Sequence, residues 1–260
     1  MSTYPQTVHA LDASATAQEL RECAARNTPD KSYQQAARLR VESEGRVQRE
    51  LLATIAAQGG DKGLKVNFGV NAPTDLAGTT ILIRAASGKD TEDMKIYLPG
   101  LQRVRNVVGS MTESNLLGTD FSYADLRRLY GTFESNDSER LPERDKDGAL
   151  AFSVSSAANE ETDFSRVVAL LDGESCVLLE ALFESEDGSI RKRLTGDPAS
   201  VMKVGERQLL SKYRMESPDT GTATSVSLGA PEFDERISKS AFHPSQFYRF
   251  RNRADMPERN

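Results

Sequence analysis

The chain has no tryptophan, only two histidines, His9 and His243, and only two cysteines, Cys23 and Cys176, in 260 residues. The histidines lie near the chain ends with no Cys, Asp or Glu at ligand spacing beside them, which argues against a zinc site or a histidine-dependent triad. No Gly-x-Ser-x-Gly elbow, no Gly-x-x-x-x-Gly-Lys-Ser/Thr loop and no Gly-x-Gly-x-x-Gly after a strand occurs, so the signatures of hydrolase and nucleotide chemistry are missing. The carboxylates fall in turns and on polar strand faces, where they read as solvated charge. No nucleophile with its base, no metal set and no cofactor site emerges, and the chain reads as a non-enzyme.

Long apolar runs are missing as well. Val167–Leu171 and Val177–Leu179 are typical of the longest, against about 20 residues for a spanning helix. Positive charge is not in excess: Lys and Arg number 33 against 39 Asp and Glu, a net charge of −6, which argues against a phosphate-tracking surface. The opening residues Met1–Gln6 show no basic stretch followed by an apolar run, so no export signal is read there. Cys23 and Cys176 stand as two separate thiols or as one disulfide; a link closing so long a loop contributes about 4–5 kcal/mol by chain entropy. What is present is ordinary for a globular protein: 38% hydrophobic and 28% charged residues, 18 Gly and 10 Pro.

Periodicity organises the chain. Ala13–Asn27 reads as an amphipathic helix with Leu20, Cys23 and Ala24 on one face, Ser14 as N-cap and Pro29 beyond it. The period then changes to two: Ala37, Leu39 and Val41, a break at Gly45, then Val47, Leu51, Ala53 and Ile55, which predicts an antiparallel hairpin. Leu64, Val66, Phe68 and Val70, then Ile81 and Ile83, then Met94, Ile96 and Leu98 continue a meander. Helical spacing returns over Asp120–Tyr130. Further strands are predicted at Ala149–Ser155, Arg166–Leu171, Leu178–Ser185, Ser189–Thr195, Gln208–Glu216 and Thr222–Leu228, with Asp172-Gly173 and Asp187-Gly188 as turns. Asn136–Asp147 reads as a solvated charged connection, and the tail 251–260 as frayed. Ten or so strands with two helices predict a mainly β protein, a strongly curved antiparallel sheet whose concave side the helices cover. Alternation is the same for a packed core and for a lipophilic cavity, so both stand at this point.

Two linked stretches carry further information, Asp93–Arg105 and Gly118–Leu126. Met94, Ile96 and Leu98 share a face, Pro99-Gly100 turns the chain, and Arg103 and Arg105 stand side by side on the returning strand. Asp120 or Asp125 is the expected partner of one arginine, making a strand-to-helix latch. In the alternative, the arginines face a cavity mouth and meet an anionic headgroup or a partner protein.

At these residues the sequence resembles the LolA-like outer-membrane lipoprotein-sorting proteins. The motif residues are Tyr97-Leu98-Pro99, Val104-Arg105-Asn106 and Gly118-Thr119-Asp120-Phe121-Ser122-Tyr123-Ala124-Asp125-Leu126. Asp75–Thr79, Leu171-Asp172 with Cys176, and Phe242–Phe250 extend the likeness over about Ala17 to Phe250. The resemblance implies a single domain over 1–250: a half-barrel closed by helices around a hydrophobic cavity, acting in the periplasm after removal of an export signal. It implies a carrier of lipid or of lipoprotein acyl chains, without a cofactor. Its partners would be an inner-membrane exporter, RND-type or ABC, and an outer-membrane acceptor. Leu39, Val41, Leu51, Ile55, Val66, Phe68, Ile81, Ile83, Met94 and Ile96 are the inward residues, Phe68 and Met94 foremost. In an oxidising periplasm a Cys23–Cys176 bond would staple the first helix to the sheet, leaving Asp120–Tyr130 to open behind a gating loop at Gly109–Gly118. The alternative function is a non-carrier periplasmic adaptor with a solid core, docking an envelope transporter through Arg103 and Arg105.

Overall fold

The computed structural model describes residues 10–27, 31–59, 63–85, 92–129, 137–156, 162–204, 207–234 and 237–250. The readings of residues 1–6, His9, Pro29, Tyr130, Asn136 and the tail 251–260 fall outside them.

Helix α1 (Ala17–Arg26) precedes a meander in chain order: β1 (Tyr33–Ser43), β2 (Arg46–Gln58), β3 (Leu64–Ala72), β4 (Thr80–Ala85), β5 (Glu92–Leu98) and β6 (Arg103–Asn106). The single-turn helix α2 (Asp125–Arg128) follows. The second half contains β7 (Ser138–Arg140), β8 (Ala149–Ser155), β9 (Arg166–Asp172), β10 (Leu178–Glu184), β11 (Ile190–Gly196), β12 (Val201–Val204), β13 (Arg207–Leu210), β14 (Lys212–Ser217), β15 (Thr222–Leu228) and β16 (Glu232–Phe233). One 14-stranded sheet runs β6-β5-β4-β3-β2-β1-β15-β14-β11-β10-β9-β8-β7, with β16 beside β1 and β12-β13 as a separate ribbon. All the strand ladders among the described residues are antiparallel, and the two halves of the chain meet where β15 returns to β1. β6 and β7 end the sheet without pairing to each other, so the half-barrel is open.

Local chemistry explains these elements. Glu44 and Gly45 both have positive φ, 51° and 71°, the requirement of a two-residue turn matching strand twist. Register shifts at Val41/Glu42, Leu52/Ala53, Leu178/Glu180 and Phe183/Glu184 bend the sheet. Cross-strand pairing aligns Ile55, Phe68, Ile81 and Ile96 in one row and Ala57, Val66, Ile83 and Met94 in the next. These rows form the concave face, whose core continues through Leu150, Phe152 and Val154 of β8 to Leu20 and Ala24 of α1.

The convex face is covered too. Ala56 and Leu82 lie under Ile237, Ala241, Phe242 and Phe247, and Tyr97 stacks on Tyr248 at 4.2 Å. Asn67 ties this segment down by donating to the carbonyls of Ala241 (2.7 Å) and Phe247 (3.0 Å). Asn67→Leu strands both carbonyls in a buried site. It should cost about 1–3 kcal/mol and speed amide hydrogen exchange over 239–249 more than in β8–β10; uniform exchange would contradict this anchor.

Several sequence expectations are corrected. α1 starts at Ala17 because Thr16, not Ser14, caps it: Thr16 Oγ1 accepts from the Glu19 N–H and the Glu19 carboxylate accepts from the Thr16 N–H at 2.8 Å, while Ser14 donates to Asp12. The helix expected over Asp120–Tyr130 is the single turn Asp125–Arg128, because Asp120 and Ser122 spend their side chains on hydrogen bonds incompatible with a helical start upstream. The charged stretch from 137 to 147 holds β7 and a 3-10 turn at Pro142–Arg144, ordered by the Arg140–Asp145 pair at 2.6 Å. Gln208–Glu216 is two strands, since Ser211 breaks away to bond the Ser200 carbonyl.

Candidate functional site

All ten inward residues named from the alternation are buried, and all but Val41 belong to the one concave cluster. Above them passes the segment 107–129, which leaves the β6 edge and crosses the concave face. Phe121 and Leu126 point from it into the core, and Leu116 and Tyr123 join them. Burial raises the Tyr123 hydroxyl pKa. Between this strap and the sheet lies a cavity of about 60 Å³. Leu39, Ile55, Val66 and Phe68 form its sheet wall, Phe121, Leu126 and Leu129 its strap wall, and Leu210, Tyr213 and Val226 its far side. Val41, Leu51, Ile81, Ile83, Met94 and Ile96 sit outside its lining, packed as core. One water needs about 10–15 Å³ by such a measure, so the cavity as it stands accepts a few methylene-sized groups, and a whole acyl chain requires the strap to move.

The strap is held by polar clamps. Asp120 donates its N–H to Thr224 Oγ1 (2.9 Å) and accepts from the hydroxyls of Thr224 (2.6 Å) and Thr222, both on β15. Asp125 accepts from the Ser122 N–H (2.7 Å), Arg128 (2.9 Å) and Lys192 of β11 (3.4 Å). Arg128 also reaches Glu113 at 2.7 Å and lies over the rings of Phe164 and Phe183. Burial opposes the Asp125 charge, but Lys192, Arg128 and the Ser122 N–H together outweigh it and hold the carboxyl below the usual range. Burial likewise opposes the Arg128 charge, and Asp125 and Glu113 overcome it. From β2, Arg49 donates to the Leu117 carbonyl at 3.3 Å and to Asp75 at 3.4 Å.

The expected latch between these aspartates and Arg103 or Arg105 is therefore not formed. Both arginines are exposed on edge strand β6, opposite Leu98 and Ile96, whereas Asp120 and Asp125 bind β15 and β11 far along the sheet. Charges on an edge strand discourage pairing with another chain. Of the remaining motif residues, Leu98 packs on the concave cluster, Tyr97 faces the convex side, and Pro99 approaches Gly78, which turns at φ +85°. Cys23 and Cys176 are bonded, with Cα atoms 5.5 Å apart, stapling α1 to the β9–β10 loop. Asn27 reinforces the staple, donating to the Ser175 carbonyl (2.9 Å) and accepting from the Gln208 N–H (3.1 Å).

Sequence reasoning passed over Thr222, Thr224 and Lys192, which meet the strap only through the strand order, and Glu113, which lies within the strap and pairs with Arg128. It also passed over Gln35, which lines the cavity. Its signal was present: Gln35 is the polar member of the in-phase series Tyr33, Gln35, Ala37, Leu39. Among the described residues no cluster of three metal-ligating side chains occurs, and no helix is long and apolar enough to cross a membrane.

A family model described as "Uncharacterized protein" matches residues 65–249. The fold of an outer membrane lipoprotein-sorting protein domain from Vibrio parahaemolyticus matches with a TM-score of 0.77 at 18% identity, over 91% of this chain and 100% of that one. The chain belongs to the matched family and has the LolA-like fold. A DUF1329 family protein from Desulfovibrio piger gives a TM-score of 0.74 at 21% identity, covering 88% of this chain and 98% of that one. A LolA superfamily protein from Nitrosomonas europaea gives 0.65 at 13% identity, covering 88% and 98%. No curated protein matches the sequence. The LolA-like fold accounts for the open antiparallel sheet, and Gly118–Leu126 lies in the strap over its concave side.

Proposed function

We propose that the chain is a periplasmic, non-enzymatic carrier, a single domain through residue 250, that takes a lipid or a lipoprotein acyl chain onto its concave face. The observation that carries this reading is the apolar cavity at the junction of strap and sheet, where the cover is held by side-chain clamps and not by the sheet's own ladder. Each methylene left in water costs about 0.8 kcal/mol, and a sleeve that shields it lets the chain cross an aqueous compartment. Leu39, Ile55, Val66 and Phe68 make first contact; Met94, Ile96, Ile81, Ile83, Val41 and Leu51 are reached as the strap, gated at 109–118, lifts. The Cys23–Cys176 bond suits an oxidising compartment and keeps α1 in place while the strap moves. An inner-membrane exporter, RND-type or ABC, and an outer-membrane acceptor are the partners such a cycle needs.

The test is mass spectrometry of an organic extract from exported protein purified without detergent. Stoichiometric lipid or an acylated peptide is expected. A clean extract, repeated after incubation with total envelope lipid, would contradict the carrier and favour the adaptor. That second reading draws on the exposed Arg103 and Arg105 beside Leu101 and Val108, which are 58% and 66% exposed.

A further inference from the structure

Gln35 is the one amide in a cavity wall otherwise made of aliphatic and aromatic side chains. Gln35 stands on β1 directly across from Ile55, whose own neighbour is Phe68, so the alternation turns its side chain to the concave face. It is 2% exposed, lines the cavity, and its Oε1 has no hydrogen-bond partner among the described residues. A buried amide oxygen left unmatched destabilises the fold, whereas Leu or Met at the same place would simply extend the apolar wall. A side chain that carries that cost invites a ligand that supplies what it lacks.

Resting on the carrier reading, we propose that Gln35 recognises an uncharged hydrogen-bond donor, an O–H or an amide N–H, on an otherwise aliphatic ligand. The chemistry of the wall selects among headgroups. An ionised carboxylate has no donor to offer Oε1, and no cation lines this cavity to receive its charge. Of the guanidiniums that clamp the strap, Arg128 lines a separate void of about 10 Å³ and is already paired with Asp125 and Glu113. An ammonium group would have to shed its water with one amide oxygen as compensation, which a single neutral hydrogen bond does not offset. A neutral donor exchanges one hydrogen bond with water for one with Gln35 and keeps its aliphatic body against Ile55 and Phe68. Both a lipid alcohol and the amide of an N-acylated chain end present that chemistry.

Calorimetric titration with three ligands of equal chain length separates the possibilities: 1-dodecanol, N-methyldodecanamide and methyl dodecanoate, the last an acceptor only. The wild-type protein is expected to bind at least one of the donors about tenfold more tightly than the ester. The alcohol and the amide distinguish the two sources by which of them carries the preference. Gln35→Met and Gln35→Leu should abolish the preference while binding the ester at least as well as the wild type, a pattern that loss of folding would not produce. Ester and donors binding equally, or a preference that survives in Gln35→Met, would overturn the role of Gln35 and leave the carrier intact. No binding of any of the three would overturn the carrier reading and this proposal with it.

Discussion

Replacing Cys23 and Cys176 together by alanine should lower the free energy of unfolding by about 3–5 kcal/mol. The two cysteines are 153 residues apart, so the bond removes a large part of the unfolded chain's freedom. Chain entropy for such a loop gives about 5 kcal/mol, from which native strain subtracts. Both cysteines are buried and the alanines leave little empty volume, so the packing contribution is minor. Urea unfolding without reductant measures the loss. Reductant should bring the wild type to the level of the double variant and leave the variant unchanged. The damage should concentrate where the staple acts, with faster amide exchange in α1, which Asn27 would still tie to the β9–β10 loop. A shift below about 1 kcal/mol would mean that the staple contributes little beyond the Asn27 contacts.

Arg128→Met should cost about 3–5 kcal/mol at pH 7, because it leaves the buried Asp125 and the half-buried Glu113 without their common cation. Lys192, 3.4 Å from Asp125, compensates only in part. The pH dependence identifies the cause. In the wild type the Asp125 carboxyl is held below its unfolded value of about 3.9. The stability it contributes is therefore complete above about pH 4 and lost as pH falls through the lower folded value. Without Arg128 the same carboxyl sits higher, since burial then acts with less opposition, and protonation relieves the strain. The stability gap between wild type and Arg128→Met should accordingly narrow from pH 7 to pH 4, as thermal unfolding at several pH values would show. A gap independent of pH would assign the loss to the contacts with Phe164 and Phe183 instead. The double variant Glu113→Gln/Arg128→Met should recover part of the loss, because it removes one of the stranded charges.

The sheet was legible because a half-buried strand repeats every two residues wherever it lies. Leu39, Ile55, Phe68, Ile81 and Ile96 declare their face without knowledge of their neighbours. Phe121 and Leu126 were legible as part of a motif, but their local structure was not. Asp120 and Ser122 offer hydrogen bonds that compete with a helix, and whether they do so depends on Thr224 and Asp125 standing in reach. The partners of Asp120 and Asp125 could not be read at all from spacing. Thr222 and Lys192 come near only because β15 returns to β1 and β14 pairs with β11. β7 was hidden for another reason: three residues rich in charge carry no alternation, and the Arg140–Asp145 pair that orders them looks like solvated charge in one dimension. Gln35 was passed over, although its place in the apolar series Tyr33, Ala37, Leu39 was open to view.

The central claim is that an acyl chain enters under the strap, and the chain's lack of tryptophan provides a direct test. Tyr213→Trp places one indole on the cavity wall at a half-buried aromatic position. Adding a fatty acyl chain brominated near its middle to the detergent-free variant should quench that tryptophan saturably, to a stoichiometry of one per protein, with no change in the circular dichroism of the sheet. Emission that stays unquenched in a folded protein under excess brominated chain would contradict the account.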